Sequence, residues 1–224
     1  PAADNLVEQR VKVDLSAADS SGSASFHCSA RGLTASFMRR SAANLGAKKR
    51  LVRSLFTVLF YNDATLESHS TGAATAIDRP FRLEGRFRSP GLVRRTEEGV
   101  QVTMPTGMSR SRLGRWKERN LPLHFTARRL SRITLEVILP DDLVHDDRAQ
   151  PRTLEVKHRC LSYRRQIEVQ QGRVVRTDTQ QVTCIDVPVD QYAAFKKVWD
   201  ELVTRSSEPL MLRRRARRAR GRGR

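Results

Sequence analysis

The stretch from Leu154 to Val203 constrains the fold more than any other part of the chain. Leu154–Gln170 (LEVKHRCLSYRRQIEVQ) alternates apolar and polar residues, and so does Arg173–Pro188 (RVVRTDTQQVTCIDVP). Gln171-Gly172 separates them, which spells two strands joined by a tight turn. Asp190 then opens DQYAAFKKVWDELV, in which Tyr192, Phe195, Trp199 and Leu202 recur at helical spacing with Val198 and Val203 beside them. Asp190 is read as its N-cap. A Tyr/Phe/Trp stripe of this kind is read as core packing against a sheet rather than as a cofactor site.

Period-two patterns recur upstream. Residues 6–15 alternate around Val11, Val13 and Leu15, and residues 24–30 around Ala24, Phe26, Cys28 and Ala30. The small, polar link Ser16–Gly22 makes this pair a hairpin. Residues 33–61 change period and predict two helices. The first carries Phe37, Asn44 and Leu45 and stops near Gly46. The second, Ala47–Tyr61, has an apolar face from Leu51 to Leu59. Lys48, Lys49, Arg50 and Arg53 at its start oppose the helix dipole, so packing must hold it. Strands return with Phe81–Phe87, Val100–Val102, an edge segment Pro122–Phe125, and Ile133–Leu139 before a turn at Pro140. Residues 106–120 form a basic loop around Trp116, and Asp141–Arg152 is polar. There is no internal repeat and no linker.

The fold class expected is therefore α+β and β-dominated. Two packed antiparallel sheets form a sandwich, with an inserted helix pair and a C-terminal amphipathic helix. Residues 1–205 form the domain, with a candidate sub-domain junction near 62–125. Residues 206–224 are expected to be a disordered tail, because Ser, Pro, Gly and Arg cannot bury surface.

Charge sets the second constraint. The formal net charge is +18, and arginine outnumbers lysine 35 to 7. Eight arginines lie in the tail: Arg213, Arg214, Arg215, Arg217, Arg218, Arg220, Arg222 and Arg224. The other +10 is scattered along the chain. An arginine run can bind a polyanion by counterion release. Without aromatic residues it has no stacking platform, so such binding would be weak and indifferent to sequence. No run of 18 apolar residues exists, which predicts no transmembrane helix. The chain starts at Pro1 without methionine or a signal-peptide pattern, and reads as a fragment or processed segment.

Catalytic signatures are missing. Cys28, Cys160 and Cys184 include no Cys-x-x-Cys pair, and the five histidines show no HxxxH or HExxH spacing. Neither GxSxG, nor a P-loop, nor GxGxxG occurs. A Cys28–His69 thiol–imidazole pair is disfavoured because Cys28 sits in a strand pattern rather than at a helix N-terminus. Asp141-Asp142 and Asp146-Asp147 read as solvated loop carboxylates rather than a metal site. Cys160 and Cys184 flank Gly172 at nearly equal distances, so the hairpin puts them opposite or one step apart. They are a candidate disulfide if the protein is exported; otherwise they are two reduced, half-buried thiols. No catalytic residue, metal or cofactor is assigned.

Several segments resemble a bacterial family that joins an N-terminal domain of unknown function (family 3857) to a transglutaminase-like domain. They are the opening VKVDLS, the helix pair, PFRLEGRFRSPGLV, ITLEVILPDDLV, and above all YRRQIEV…GRVVRTDTQQV…VPVDQYAAFKKVWDEL. The resemblance is to the C-terminal end of that family, away from its catalytic Cys, His and Asp, which would lie upstream of Pro1. It implies an accessory or structural domain with a protein partner, periplasmic or secreted. The competing expectation is a basic, nucleic-acid-associated protein that binds through its tail.

Overall fold

The computed structural model describes residues 1–16, 22–43, 64–105 and 118–215. Outside them lie the helix expected over Ala47–Tyr61, most of the basic loop around Trp116, and Arg217, Arg218, Arg220, Arg222 and Arg224.

In chain order the first strands are β1 (Leu6–Asp14), β2 (Ser23–Ala30), β3 (Thr65–Thr71), β4 (Phe81–Arg88), β5 (Val93–Arg95), β6 (Gly99–Val102) and β7 (Leu123–His124). Then come β8 (Arg129–Ile138), β9 (Leu143–His145), β10 (Thr153–His158), β11 (Leu161–Gln170), β12 (Arg173–Val182), β13 (Asp186–Val187) and β14 (Leu210–Arg214). Among the described residues the α-helices are α1 (Gly32–Ala43) and α2 (Val189–Ser207). The protein is a β-dominated α+β fold.

Eight strands form the large sheet in the order β10-β11-β12-β8-β1-β2-β4-β3, and four form a smaller one, β5-β6-β14-β9. The strand alternation decides which side is core. In β1, Val7, Val11 and Val13 are buried while Glu8, Arg10, Lys12 and Asp14 face outward. The register carries the same parity across the sheet, placing Val11 beside Phe26 and Leu135. Val100, Val102, Leu143, Leu210 and Leu212 of the small sheet join these residues in one core. Helix α1 contributes Ala35, Met38 and Ala42 to it. A second core lies under α2, whose Tyr192, Phe195, Trp199 and Leu202 are all buried, against Leu161, Tyr163 and Val182.

Two glycines hold the geometry. Gly172 takes φ +66° in the two-residue turn that pairs Gln170 with Arg173. Gly32 takes φ +62° at the start of α1, where a Cβ would stand 2.3 Å from both the Asp4 carbonyl and the Asn5 side chain. That approach lets Asn5 Oδ1 accept the Leu33 N–H at 2.9 Å and cap the helix.

The structure departs from the sequence expectations at five points. The large sheet is mixed, because β1 runs parallel to β8. The expected strand Leu154–Gln170 is broken at Arg159-Cys160, where the His158 ring nitrogen Nδ1 accepts the Cys160 N–H at 3.2 Å and the chain doubles back. The polar segment Asp141–Arg152 contains β9. Pro188, not Asp190, holds the N-cap of α2, and Asp190 instead lies in the first turn, where its charge suits the dipole. Finally, the tail expected to be disordered from Ser206 is structured through Arg215. Ser206 ends α2 in a buried position, and Leu210 and Leu212 alternate inward as β14 pairs with β6 and β9. Three apolar residues ahead of the arginine run become a strand by pairing with these two neighbours. Arg213 and Arg214 continue it as exposed residues, and Arg215 donates its N–H to Asp142 O at 2.7 Å.

Trp199 sits on the buried side of α2 at 1% exposure. Trp199→Ala should cost about 3 kcal/mol, the low end for a buried tryptophan, because its N–H has no acceptor among the described residues and its ring already borders a cavity. An unchanged urea midpoint would mean that the stripe does not pack on the sheet.

Candidate interaction surface and buried charge network

The outward residues of the large sheet form one face that none of the described elements covers. Both helices and the small sheet contribute their buried residues to the opposite side. One register row crosses all eight strands: Ser70, Glu84, His27, Arg10, Thr134, Thr177, Gln166 and Thr153. At about 4.8 Å per strand the row is about 34 Å wide. The rows beside it carry Arg82, Glu8, Arg132 and Arg164 on one side, and Arg86, Lys12, Glu136 and Glu168 on the other. Opposite charges meet within the face. Arg132 reaches Glu8 at 3.0 Å, Arg173 reaches Glu136 at 3.5 Å, Lys157 reaches Glu155 at 2.9 Å, and His27 lies 3.4 Å from Glu84. Exposed pairs of this kind add little stability. They do discharge the surface, so it presents no single-sign field.

Beneath the other face is a buried charge network. Asp178 Oδ1 and Oδ2 accept hydrogen bonds from Arg176 Nε at 3.0 Å and Nη2 at 2.7 Å, and Tyr163 donates its hydroxyl to Oδ2 at 2.7 Å. Arg165 Nη1 donates to Glu208 at 2.8 Å, and its Nη2 to the Arg205 carbonyl. Arg176 donates to the carbonyls of Ser206 and Glu208. The two guanidinium groups therefore satisfy the orphan carbonyls at the C-terminus of α2, where cations also suit the dipole. Burial, reinforced by the Asp178 carboxylate, pushes the Tyr163 phenol up and keeps it a donor. Partial burial pushes the Glu208 carboxyl up, but hydrogen bonds from Arg165 and Arg205 outweigh it and leave the pKa lowered. The network fastens α2 to the sheet. The sequence carried a signal for it: β11 and β12 place Tyr163, Arg165, Arg176, Asp178 and Gln180 at inward positions, which an amphipathic strand would fill with apolar residues.

The residues singled out in the sequence fall as follows. Cys28 is 1% exposed on the inner side of β2, and burial pushes its thiol up to about 12. His69 stands beside Gly85, not Leu83, which is the neighbour of Cys28, so the two do not form a pair. Cys160 and Cys184 are joined in a disulfide with Cα atoms 4.9 Å apart. The last ladder pair is Leu161 with Val182, so the bond closes just beyond it, one step out of register, where the strands have ended. Asp146 is engaged by the N–H of Arg148, and Asp147 by Arg152 and His145. The Arg152 hydrogen bond lowers the Asp147 carboxyl to about 2. No cluster of three or more metal-ligating side chains occurs among the described residues. Among them, no helix is long and apolar enough to cross a membrane.

Opening the disulfide, by Cys160→Ser with Cys184→Ser, should cost about 3 kcal/mol. The bond closes 24 residues of sequence, and its loss frees the unfolded chain. A denaturant midpoint equal to that of the parent under oxidising conditions would mean that the bond does not form.

Comparison with protein-family models, curated proteins and solved structures finds no match.

Proposed function

We propose that this chain is a non-catalytic accessory domain of an exported bacterial protein, and that it works by seating the outer face of its large sheet on another protein domain. The observation that supports this reading is the eight-stranded face, which none of the described elements covers. It is broad, and its Ser, Thr and Gln side chains can hydrogen-bond to a partner. Its charges alternate in sign, which suits a protein surface of mixed charge better than a polyanion. The Cys160–Cys184 bond fits an oxidising compartment. The resemblance of the YRRQIEV to VPVDQYAAFKKVWDEL segment to the C-terminal end of transglutaminase-like proteins points the same way. The burial of Cys28 argues against nucleophilic use of that thiol.

Hydroxyl-radical footprinting tests the docking. His27, Ile138 and Val175 lie on the outer side of β2, β8 and β12 and are partly exposed. They should be modified readily in the purified chain and several-fold less in intact cells. Equal modification in both settings would refute the proposal.

The tail reading has its own test. DNA binding by the full chain should fall by about a hundredfold or more between low and physiological salt, and a chain ending at Arg215 should lose most of it. Tight or sequence-selective binding by the shortened chain would instead favour a nucleic-acid-binding domain.

A further inference from the structure

We infer that β10 is a dimerisation edge: two copies of this chain join their large sheets side by side through it, antiparallel about Val156. This goes beyond the docking proposal, because it uses the rim of the sheet and leaves the outer face open. The large sheet ends at β3 on one side and at β10 on the other. An edge strand carries a row of unpaired backbone groups, and native sheets blunt such edges with bulges. β3 is broken in this way, since its register with β4 shifts between Leu66 and Ser68. β10 is not. Its six residues pair with β11 without a shift, from Thr153 with Gln166 to His158 with Leu161.

The register decides which groups the open side of β10 offers. Along an antiparallel strand, residues bonded to one neighbour alternate with residues turned to the other side. Ile167 donates its N–H to Arg152 O at 2.7 Å, so Arg152 is bonded toward β11, and Leu154, Val156 and His158 share its parity. Thr153, Glu155 and Lys157 therefore turn their N–H and C=O groups away from β11, where no strand among the described residues takes them up. Side chains choose the occupant. Glu155 and Lys157 are 52% and 72% exposed and lie 2.9 Å apart on the outer side. A second β10, antiparallel with Val156 at the two-fold axis, sets Glu155 opposite the partner's Lys157 and Lys157 opposite the partner's Glu155. Cross-strand pairs of opposite charge stabilise a sheet, and like charges directly opposite destabilise it. An axis at Glu155 or at Lys157 would set a charge against its own kind, and one at Leu154 would leave both without a charged counterpart. The strand is thus complementary to itself about Val156, as an isologous two-fold contact requires. On the inner side, Leu154 and Val156 are only partly buried against the core under α2, and the second copy adds to their cover.

Sedimentation velocity of the full chain provides the test, at physiological salt so that the net charge is screened. The mass should rise from monomer to dimer between micromolar and millimolar concentration, because a strand edge is a small interface. Glu155→Lys and Lys157→Glu should each weaken the dimer by about tenfold or more, since either one turns both matched pairs into like-charge pairs. Combined in one chain, the two substitutions restore the matches, and the dimer should return to parental strength. Both side chains are exposed, so every variant should keep the parental melting temperature at micromolar concentration. Amide exchange at Glu155 and Lys157 should slow as the dimer forms. A chain that stays monomeric, single variants that dimerise as the parent does, or a double variant that fails to recover would overturn the assignment.

Discussion

A chain ending at Arg205 should not melt as a cooperative unit, whereas one ending at Arg215 should melt as the full chain does. The difference is β14 and the corner that leads to it. Leu210 and Leu212 are 0% and 4% exposed, and loss of each such leucine costs about 2–5 kcal/mol. Their sum approaches the whole stability of a domain, about 5–15 kcal/mol. More is lost with them. β14 is an inner strand of the small sheet, so β6 and β9 would be left unpaired on that side. Pro209 O would no longer accept from Gln150, nor Met211 O from Asp146 N–H. Arg165 would lose Glu208, and Arg176 the carbonyls of Ser206 and Glu208. Thermal denaturation followed by circular dichroism decides it. A melting temperature for the 1–205 chain within error of the full chain would show the small sheet to be dispensable.

Asp178→Ala should destabilise the protein by about 3–5 kcal/mol, the range found when one partner of a buried ion pair is removed. Asp178, Arg176, Arg165 and Tyr163 are each 1% exposed or less. Without the carboxylate, Arg176 keeps its charge with only backbone carbonyls to meet it, and the Tyr163 hydroxyl loses its acceptor. Asp178→Asn retains an acceptor oxygen and the volume, and should cost less than Asp178→Ala. A urea midpoint of Asp178→Ala equal to the parent would mean that water reaches the network.

How much of this was legible beforehand depends on how local the cause was. The turn at Gly172 is dictated by two residues, and the pairing of β11 with β12 follows from it. The same holds for the stripe Tyr192–Phe195–Trp199–Leu202, whose spacing alone sets the buried side of α2. The pairing of β1 with β8 is not written in either strand, because any alternating strand can accept such a neighbour. The break at Arg159-Cys160 is hidden because both flanking segments alternate, and a two-residue reversal lacking Gly or Pro leaves no mark. β14 was masked by composition: Leu210-Met211-Leu212 is a minimal apolar run beside an arginine tract, and only partners far away in sequence make it a strand. The sheet face that none of the described elements covers was not foreseen either. Alternation shows that a strand has one polar side, but not that eight such sides align with no described element over them.

The parallel pairing of β1 with β8 has a consequence for biosynthesis. Glu8 and Arg132, bonded across that pair, are 124 residues apart. At about 5–20 residues per second, a ribosome needs about 6–25 s to deliver the second after the first. Through that interval β1 can pair with β2 but has no neighbour on its other edge, and Val7, Val11 and Val13 lack part of their cover. An edge in that condition is open to pairing with another nascent chain. Glu8, Arg10, Lys12 and Asp14 alternate with those valines and act as charged gatekeepers. The outer side of β1 thus has a task during synthesis, before the finished sheet exists.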